Sequence, residues 1–369
     1  MGRGYVSIKD VAAVAGVSFQ TAGKVLNGGN VRVAPETAER IVAAADRLGY
    51  RRNTIARSLV RQTTATLGLI GGDARDVAIS DFSIATEQAA RNHGYAVLVG
   101  HLSADGADAA DVVQMLLERR VDGVIAAAPQ VEEDPEVAEL LHAHVPAVSL
   151  HHVPGGGVPT VGSSQSETAR LATDHLLRHG HRVIGTVTGP FRRRVVRSRL
   201  RGYEASLRTA GIEPNGDLVA EADWTPAGAA GATRLLLNRV PETSALFVHN
   251  DAMAIGVLSA VAQSGRRVPD DVAVVSCDDM PFAEYLAPPL STVRIPFAET
   301  GTRAVELLLE RIGGAPPPTE PVLLPVELVT RKSCGTAADH NVLTTDTGGS
   351  MTEHASSSMG TGLVSKERR

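Results

Sequence analysis

Ser18-Phe19-Gln20-Thr21 and Lys24 set a hydroxyl, an aromatic ring, a carboxamide and a cation within two turns of one short segment. A glutamine side chain pairs in two places with the edge of adenine, and apolar surface meets a thymine methyl. Such residues suit the leading turn of a helix that enters the DNA major groove. Phe19 directly follows a capping serine, which favours exposure over the alternative of a core aromatic. Other chemistry-bearing groups converge less well. His142, His144, His151 and His152 lie close together, and His175 and His179 are four apart. A zinc site needs three or four ligands at one point, so these read as surface or packing histidines and no metal or cofactor is expected. Ser163, Ser164 and His151 lack the strand-turn-helix nucleophile motif of a hydrolase, so no catalytic residue is assigned. Gly155-Gly156-Gly157 lacks the Lys-Ser/Thr of a phosphate loop. Arg192-Arg193-Arg194 with Arg197 reads as a solvated basic face rather than a second nucleic-acid patch.

The elements that must hold the Ser18–Lys24 segment are legible. Ser7-Ile8-Lys9-Asp10 forms a capping box ahead of a Val11/Val14/Ala15 face. Gly16-Val17 turns the chain, and Ser18 caps a second helix over Phe19 to Leu26. Pro35 opens a third, with Ile41, Ala44, Ala45 and Leu48 at helical spacing and Gly49 after it. Two short helices across a tight turn, closed by a third, make a helix-turn-helix. From Leu67 the rhythm becomes apolar strand, helix, apolar strand, in two successive sets. This predicts parallel sheets flanked by helices in two similar α/β lobes with a cleft between them. The expected organisation is residues 1–50 helix-turn-helix, 51–64 hinge helix and linker, 65–333 two-lobed sensor, and 334–369 a Ser/Thr/Gly-rich disordered tail.

The charge is distributed to match. The 369 residues sum to −5, which alone argues against a nucleic-acid partner. Residues 1–62 hold ten Lys/Arg and four acids, or +6, leaving −11 on the rest. A basic arm on an acidic body suggests nucleic-acid binding through the arm. Hydrophobic residues are 43% and aromatics only 3%, so the core rests on Ala, Val and Leu. Cys277 and Cys334 form no disulfide framework, which fits a reducing cytoplasm. Met1–Asp10 has no apolar signal core and no apolar run approaches about 20 residues. A soluble cytoplasmic protein without membrane contact is expected.

Ile8-Lys9-Asp10-Val11-Ala12, Ala15-Gly16-Val17-Ser18, Val25-Leu26-Asn27, Leu48-Gly49-Tyr50, Ile55-Ala56-Arg57-Ser58-Leu59 and Leu67-Gly68-Leu69-Ile70 together resemble the lactose-repressor (LacI) family of transcription regulators. The likeness continues to about Arg331 through Arg120-Val121-Asp122-Gly123, Gly180-His181-Arg182, Asn250-Asp251 and Pro288-Pro289-Leu290-Ser291-Thr292-Val293. The resemblance implies an N-terminal all-α helix-turn-helix domain and a two-lobed periplasmic-binding-protein-like α/β sensor with parallel sheets. It gives Phe19 and Gln20 the choice of operator sequence, and Ser18, Thr21, Lys24 and Asn27 phosphate or flanking contacts. Ala56–Leu59 becomes a hinge helix that folds on DNA, its Leu59 wedging into the minor groove; the alternative is a linker residue packed on its own body.

In the sensor, the same resemblance gives effector contacts to Arg199, Trp224, Asn250 and Asp278, with His151 at a common Asp position and Arg193 also within reach. Guanidinium, indole, amide and carboxylate together describe a polyol or sugar site; Trp224 taken alone reads equally as core filling. Ser164-Gln165 replace a usual Asp-Asn, and Cys277 a usual aromatic, so an ordinary hexose is not favoured over an unusual sugar, a sugar phosphate or another metabolite. Gly23 stands where the family has Ser, at a cost of about 0.8–1 kcal/mol against Ala. The expectation is a non-enzymatic, homodimeric repressor that reads a near-palindromic double-stranded operator and responds to a small effector. The competing reading, a solute-binding protein of a sugar transporter, shares the two lobes but has no use for a helix-turn-helix.

Overall fold

The computed structural model describes residues 6–26, 33–51, 63–72, 77–103, 105–132, 134–153, 155–335 and 343–344. The head is three helices: α1 (Ile8–Ala15), α2 (Phe19–Leu26) and α3 (Pro35–Leu48). The capping box forms as the sequence predicts, with Ser7 and Asp10 exchanging hydrogen bonds, and Gly16 turns out of α1 at φ 63°. Only a residue without Cβ adopts that conformation at low cost. Val11, Ala12, Ala15, Ala22, Leu26, Ile41, Ala44 and Ala45 form a small core. Val14, expected on the buried face of α1, is exposed, and Ala12 takes its place. Arg40 Nε donates to the Ala15 carbonyl at 2.9 Å and pins α3 across the end of α1.

The chain enters the body at Thr64 and Ala65, whose amides both donate to the Asp122 carboxylate at 2.8 Å. Lobe 1 is a four-stranded parallel sheet in the order β2-β1-β3-β4, from β1 (Thr66–Gly71), β2 (Ala96–His101), β3 (Gly123–Ala126) and β4 (Ala147–Ser149). Helices α4 (Val77–Asn92), α5 (Ala109–Glu118) and α6 (Pro135–His144) connect them. A sheet covered on both faces needs continuous apolar strands. Leu67, Leu69, Ile125 and Val148 face one layer, and Ile70, Val124 and Ala126 the other.

Lobe 2 is a larger sheet. Its parallel strands are β6 (Ile184–Thr188), β7 (Val219–Glu221), β8 (Ala245–Val248), β9 (Ala273–Asp278) and β10 (Ser291–Arg294). Antiparallel β12 (Glu327–Val329) and β13 (Leu343–Thr344) extend one edge, giving the order β13-β12-β10-β9-β8-β6-β7. Its helices are α7 (Gln165–Arg178), α8 (Arg194–Thr209), α9 (Pro226–Arg239) and α10 (Asp251–Gln263).

The lobes are interleaved rather than successive. The chain passes from lobe 1 to lobe 2 after β5 (Val161–Ser163) and returns after β10 to place α11 (Phe297–Ile312) in lobe 1. It crosses again between β11 (Val322–Leu324), which pairs with β5, and β12. Leu308 of α11 lies so close over β3 that a Cβ at Gly123 would come within 2.8 Å of it.

Cys334, which composition assigned to the tail, is buried in lobe 2: His175 Nε2 lies 3.2 Å from its sulfur, and Ser291 Oγ donates to it at 3.0 Å. A buried site that combines the apolar core beneath α7 with these polar contacts claims it, whatever the character of the residues that follow. Of those, Leu343–Thr344 pair with β12 and the others after Gly335 lie outside the described residues, as does residue range 52–62 of the hinge.

Candidate DNA-reading helix and inter-lobe cleft

Ser18 Oγ accepts the Thr21 amide at 3.1 Å and meets the Thr21 hydroxyl at 2.8 Å, closing the first turn of α2. Ala22 and Leu26 turn inward. Phe19 is 52% exposed, and Gln20 and Lys24 are exposed beside it. Phe19 is therefore a surface residue, not the core aromatic that was the alternative. The helix runs unbroken through Gly23, where an added Cβ would meet nothing within 4 Å. Asn27, Ala56 and Leu59 lie outside the described residues.

The predicted sensor residues gather at the carboxyl ends of the parallel strands, where open α/β sheets bind ligands. His151 follows β4, Arg193 lies beyond β6, Trp224 follows β7, Asn250 follows β8, and Asp278 ends β9. Arg199 reaches them from the second turn of α8 and is 5% exposed. Its Nε donates to Gln165 Oε1 at 2.9 Å, Nη1 donates to the His249 carbonyl, and Nη2 lies 3.9 Å from Asp278 Oδ1. Arg199 thus ties the end of β8 and the end of β9 to Gln165, the first residue of α7.

Trp224 (φ 70°) and Asp278 (φ 116°) both occupy the left-handed region. Non-glycine residues there cost of order 1–3 kcal/mol and cluster at ligand sites. The indole of Trp224 rests on Gly189; a Cβ at that position would fall 2.2 Å from the ring. Trp224 also packs on the lobe 2 core, so it fills space with one part and remains half-exposed with another. Asn250 caps α10, its Oδ1 accepting the Met253 amide at 2.8 Å. That leaves one lone pair of its oxygen and the donating NH₂. Next to it, Asp251 is fully buried and accepts from Ser276 Oγ, Thr292 Oγ1 at 2.8 Å and the Met280 amide at 2.7 Å.

The six residues do not line one chamber. Arg193 borders a cavity of about 250 Å³ between the lobes, with Arg192 from lobe 2 and Asp105, Gly106, Gln130, Asp134 and Pro135 from lobe 1. Asp278 borders a second cavity of about 150 Å³ with Asp279, Met280, Arg294 and Phe297. His151 is drawn to Glu132 in lobe 1, 3.6 Å from carboxylate to Nδ1. The other Glu132 oxygen accepts the Arg194 amide from lobe 2 at 3.4 Å. Burial pushes the Glu132 carboxyl up, but His151 and Arg194 outweigh it and hold the carboxyl below its usual range.

Four cleft residues escaped the sequence reading as contacts: Gln165, noted only as a departure, and Gln130, Glu132 and His249. The His249 ring is wholly buried with neither nitrogen hydrogen-bonded, and desolvation, then Arg199, hold it neutral far below its usual pKa. Of the other histidines weighed as metal ligands, His142, His144 and His152 are exposed. His175 is buried, pushed down to about 4 by desolvation, and stacks edge-on with His179 at 4.5 Å.

Residues 7–53 match the model of bacterial regulatory proteins of the lacI family, and residues 173–334 match a periplasmic binding protein-like domain. The HTH-type transcriptional repressor PurR of Vibrio vulnificus (strain CMCP6) is 32% identical over 309 residues, covering 83% of this chain and 92% of that protein. A lac repressor dimer bound to operator and the anti-inducer ONPF is 31% identical, with a TM-score of 0.82 over 89% of this chain and 99% of that one. A complex of the transcriptional regulator CelR with cellobiose is 30% identical, with a TM-score of 0.68 over the same shares, 89% and 99%. No helix among the described residues is long and apolar enough to cross a membrane. A capped, outward-facing reading helix, two lobes meeting over charged strand ends and these relatives agree: the chain belongs to the lacI family of bacterial regulatory proteins, as a DNA-binding transcriptional repressor with a ligand-binding sensor domain.

Proposed function

We propose that the protein acts as a homodimer that holds a near-palindromic operator through paired α2 helices, and that a carbohydrate or carbohydrate derivative bound between the lobes resets operator affinity. Phe19 and Gln20 choose the sequence; Ser18, Thr21, Lys24 and Asn27 fix register on the backbone; Ala56–Leu59 bends the minor groove. His151, Arg193, Arg199, Trp224, Asn250 and Asp278 hold the effector. The observation that carries this reading is Arg199, buried at the lobe crossing with one guanidinium tied to Gln165, His249 and the Asp278 side. A ligand that takes over any of these bonds changes how β8 and β9 are held to the start of α7, and through the lobes the spacing of the heads. Coupling of this kind is typically about 1–3 kcal/mol, or about 5–150-fold in affinity. The lac repressor dimer on its operator supports the two-fold arrangement, since protein symmetry is mirrored in the DNA.

A gel shift with the promoter of the protein's own locus tests the reading. Sequence-selective retardation is expected with the full chain and none after removal of residues 1–62. Equal retardation by the truncated chain, or none by the full chain, sinks it.

A further inference from the structure

Asp122 stands at the amino end of β3 and grips the chain where it enters lobe 1. Its Oδ1 accepts the Thr64 amide and its Oδ2 the Ala65 amide, each at 2.8 Å. The Thr64 hydroxyl lies 3.0 Å from Oδ1 and 2.8 Å from the Arg120 carbonyl, and can donate to either. The carbonyls of the same two residues are taken as well, Thr64 by the Thr66 hydroxyl at 3.3 Å and Ala65 by the Ala96 amide at 2.9 Å. A carboxylate that accepts amide protons makes charge-assisted bonds, stronger than those between neutral groups. The backbone is bent on both sides of the clamp: Ala65 at φ 51° and Arg120 at φ 54° both occupy the left-handed region. A residue with a Cβ persists there only where its surroundings impose it.

Asp122 has little freedom of its own. Its amide donates to the Thr66 carbonyl at 2.8 Å, and Gly123 beside it lies under Leu308 of α11. That helix enters lobe 1 from lobe 2, after β10. The clamp is therefore anchored where the crossing helix closes the first sheet.

We infer that Asp122 is a positioning residue for operator binding: through Thr64 and Ala65 it sets the direction in which the Ala56–Leu59 segment leaves lobe 1. The inference rests on the operator reading proposed above and adds the point at which the sensor holds that segment. A segment aimed before DNA arrives loses less conformational freedom on binding. Ordering the backbone of one residue changes an equilibrium by about 5–30-fold. Phosphate attraction to the basic head does not depend on that direction, so only sequence-selective binding feels it.

Gel shifts of the full chain on the promoter of its own locus and on a random duplex of equal length, at one salt concentration, test this. Asp122→Asn keeps the size of the side chain but turns one acceptor oxygen into a donating NH₂, which no longer serves both amides. It should bind the promoter at least about fivefold more weakly and the random duplex as the parent does. Thr64→Val keeps the amide bond and loses the hydroxyl, so it should lie between the two, while Thr64→Ser should match the parent. A smaller fall on the promoter in Asp122→Asn, or an equal fall on both duplexes, overturns the inference; the second is what loss of a merely structural residue produces. Should Asp122→Asn fail to fold, Thr64→Val decides, and promoter binding equal to that of Thr64→Ser overturns the inference. Amide exchange keeps this test apart from the operator reading. The Thr64 and Ala65 amides should exchange slowly in the parent without DNA and fast in Asp122→Asn. Fast exchange in the parent overturns the clamp; slow exchange in a parent that retards no promoter DNA sinks the operator reading and leaves the clamp standing.

Discussion

Replacing Arg199 by Ala removes hydrogen bonds from two acceptors and a cation from beside a third group. Gln165 Oε1 and the His249 carbonyl lose hydrogen bonds, and Asp278, 9% exposed, loses its nearby cation. Breaking a buried pair by deleting one partner costs roughly 3–5 kcal/mol. The Arg199–Asp278 separation of 3.9 Å is long for a salt bridge, which places the expectation at the lower end. About 3 kcal/mol corresponds to a fall of about 6–12 °C in melting temperature for a domain of this size. A melt of the variant measures that cost. A reporter driven by the locus's own promoter, in cells grown on a panel of carbon sources below the variant's melting range, measures the function. Repression should persist and its response to carbon source should vanish. Arg199→Lys keeps the charge but lacks the planar fork needed to serve all three groups, so it should respond weakly. A melt within about 1 kcal/mol of the parent refutes the buried network; a full carbon-source response refutes the effector role.

Gly23→Ala should stabilise the head by about 0.8–1 kcal/mol, because the site is helical and its Cβ is unobstructed; amide exchange in α2 should slow in step, and unchanged or faster exchange contradicts it. Asp251 offers a pH test. Desolvation pushes its carboxyl up to about 6, against hydrogen bonds from Ser276, Met280 and Thr292, while the free side chain titrates near 3.8. As pH falls between those values, the folded protein takes up a proton that the unfolded chain does not, so this group adds stability in acid. Asp251→Asn removes that gain, and the stability advantage of the parent over the variant should grow as pH drops through the window. His175, held near 4 by burial, acts in the opposite sense in both proteins and cancels from the difference. A difference that does not vary with pH discards the argument.

Much of this fold is readable because its determinants are local. The capping box at Ser7, Pro35 at the start of α3 and the apolar runs of β1, β2, β6 and β8 declare themselves within a few residues. What escaped is either too short or too distant. β5 and β7 have three residues each, too few for a pattern. No local signal says that α11 belongs with strands made far earlier, as far back as β1 at Thr66–Gly71. The site divides in the same way. Family spacing leads to Arg199 and Asp278, yet it says nothing of Glu132 meeting Arg194, which depends on how two lobes face each other. Cys334 is the same lesson at the other end, a residue judged by its neighbours in sequence and buried by its neighbours in space.

The position of α11 bears on how the protein is made. Ala304, Val305, Leu307 and Leu308 close one face of the lobe 1 sheet over Leu67, Leu69, Ile125 and Val148. Strand β4 ends at Ser149 and α11 begins at Phe297. At about 5–20 residues per second, the ribosome needs roughly 7–30 s to cover that interval. Throughout it, the first sheet leaves the exit tunnel with one apolar face covered by Phe82, Ala89 and Ala90 of α4 but not yet by α11, while the second lobe is still being translated. Lobe 1 therefore cannot mature as the first-made unit, and the nascent repressor is most exposed to chaperones and aggregation in the middle of its own synthesis.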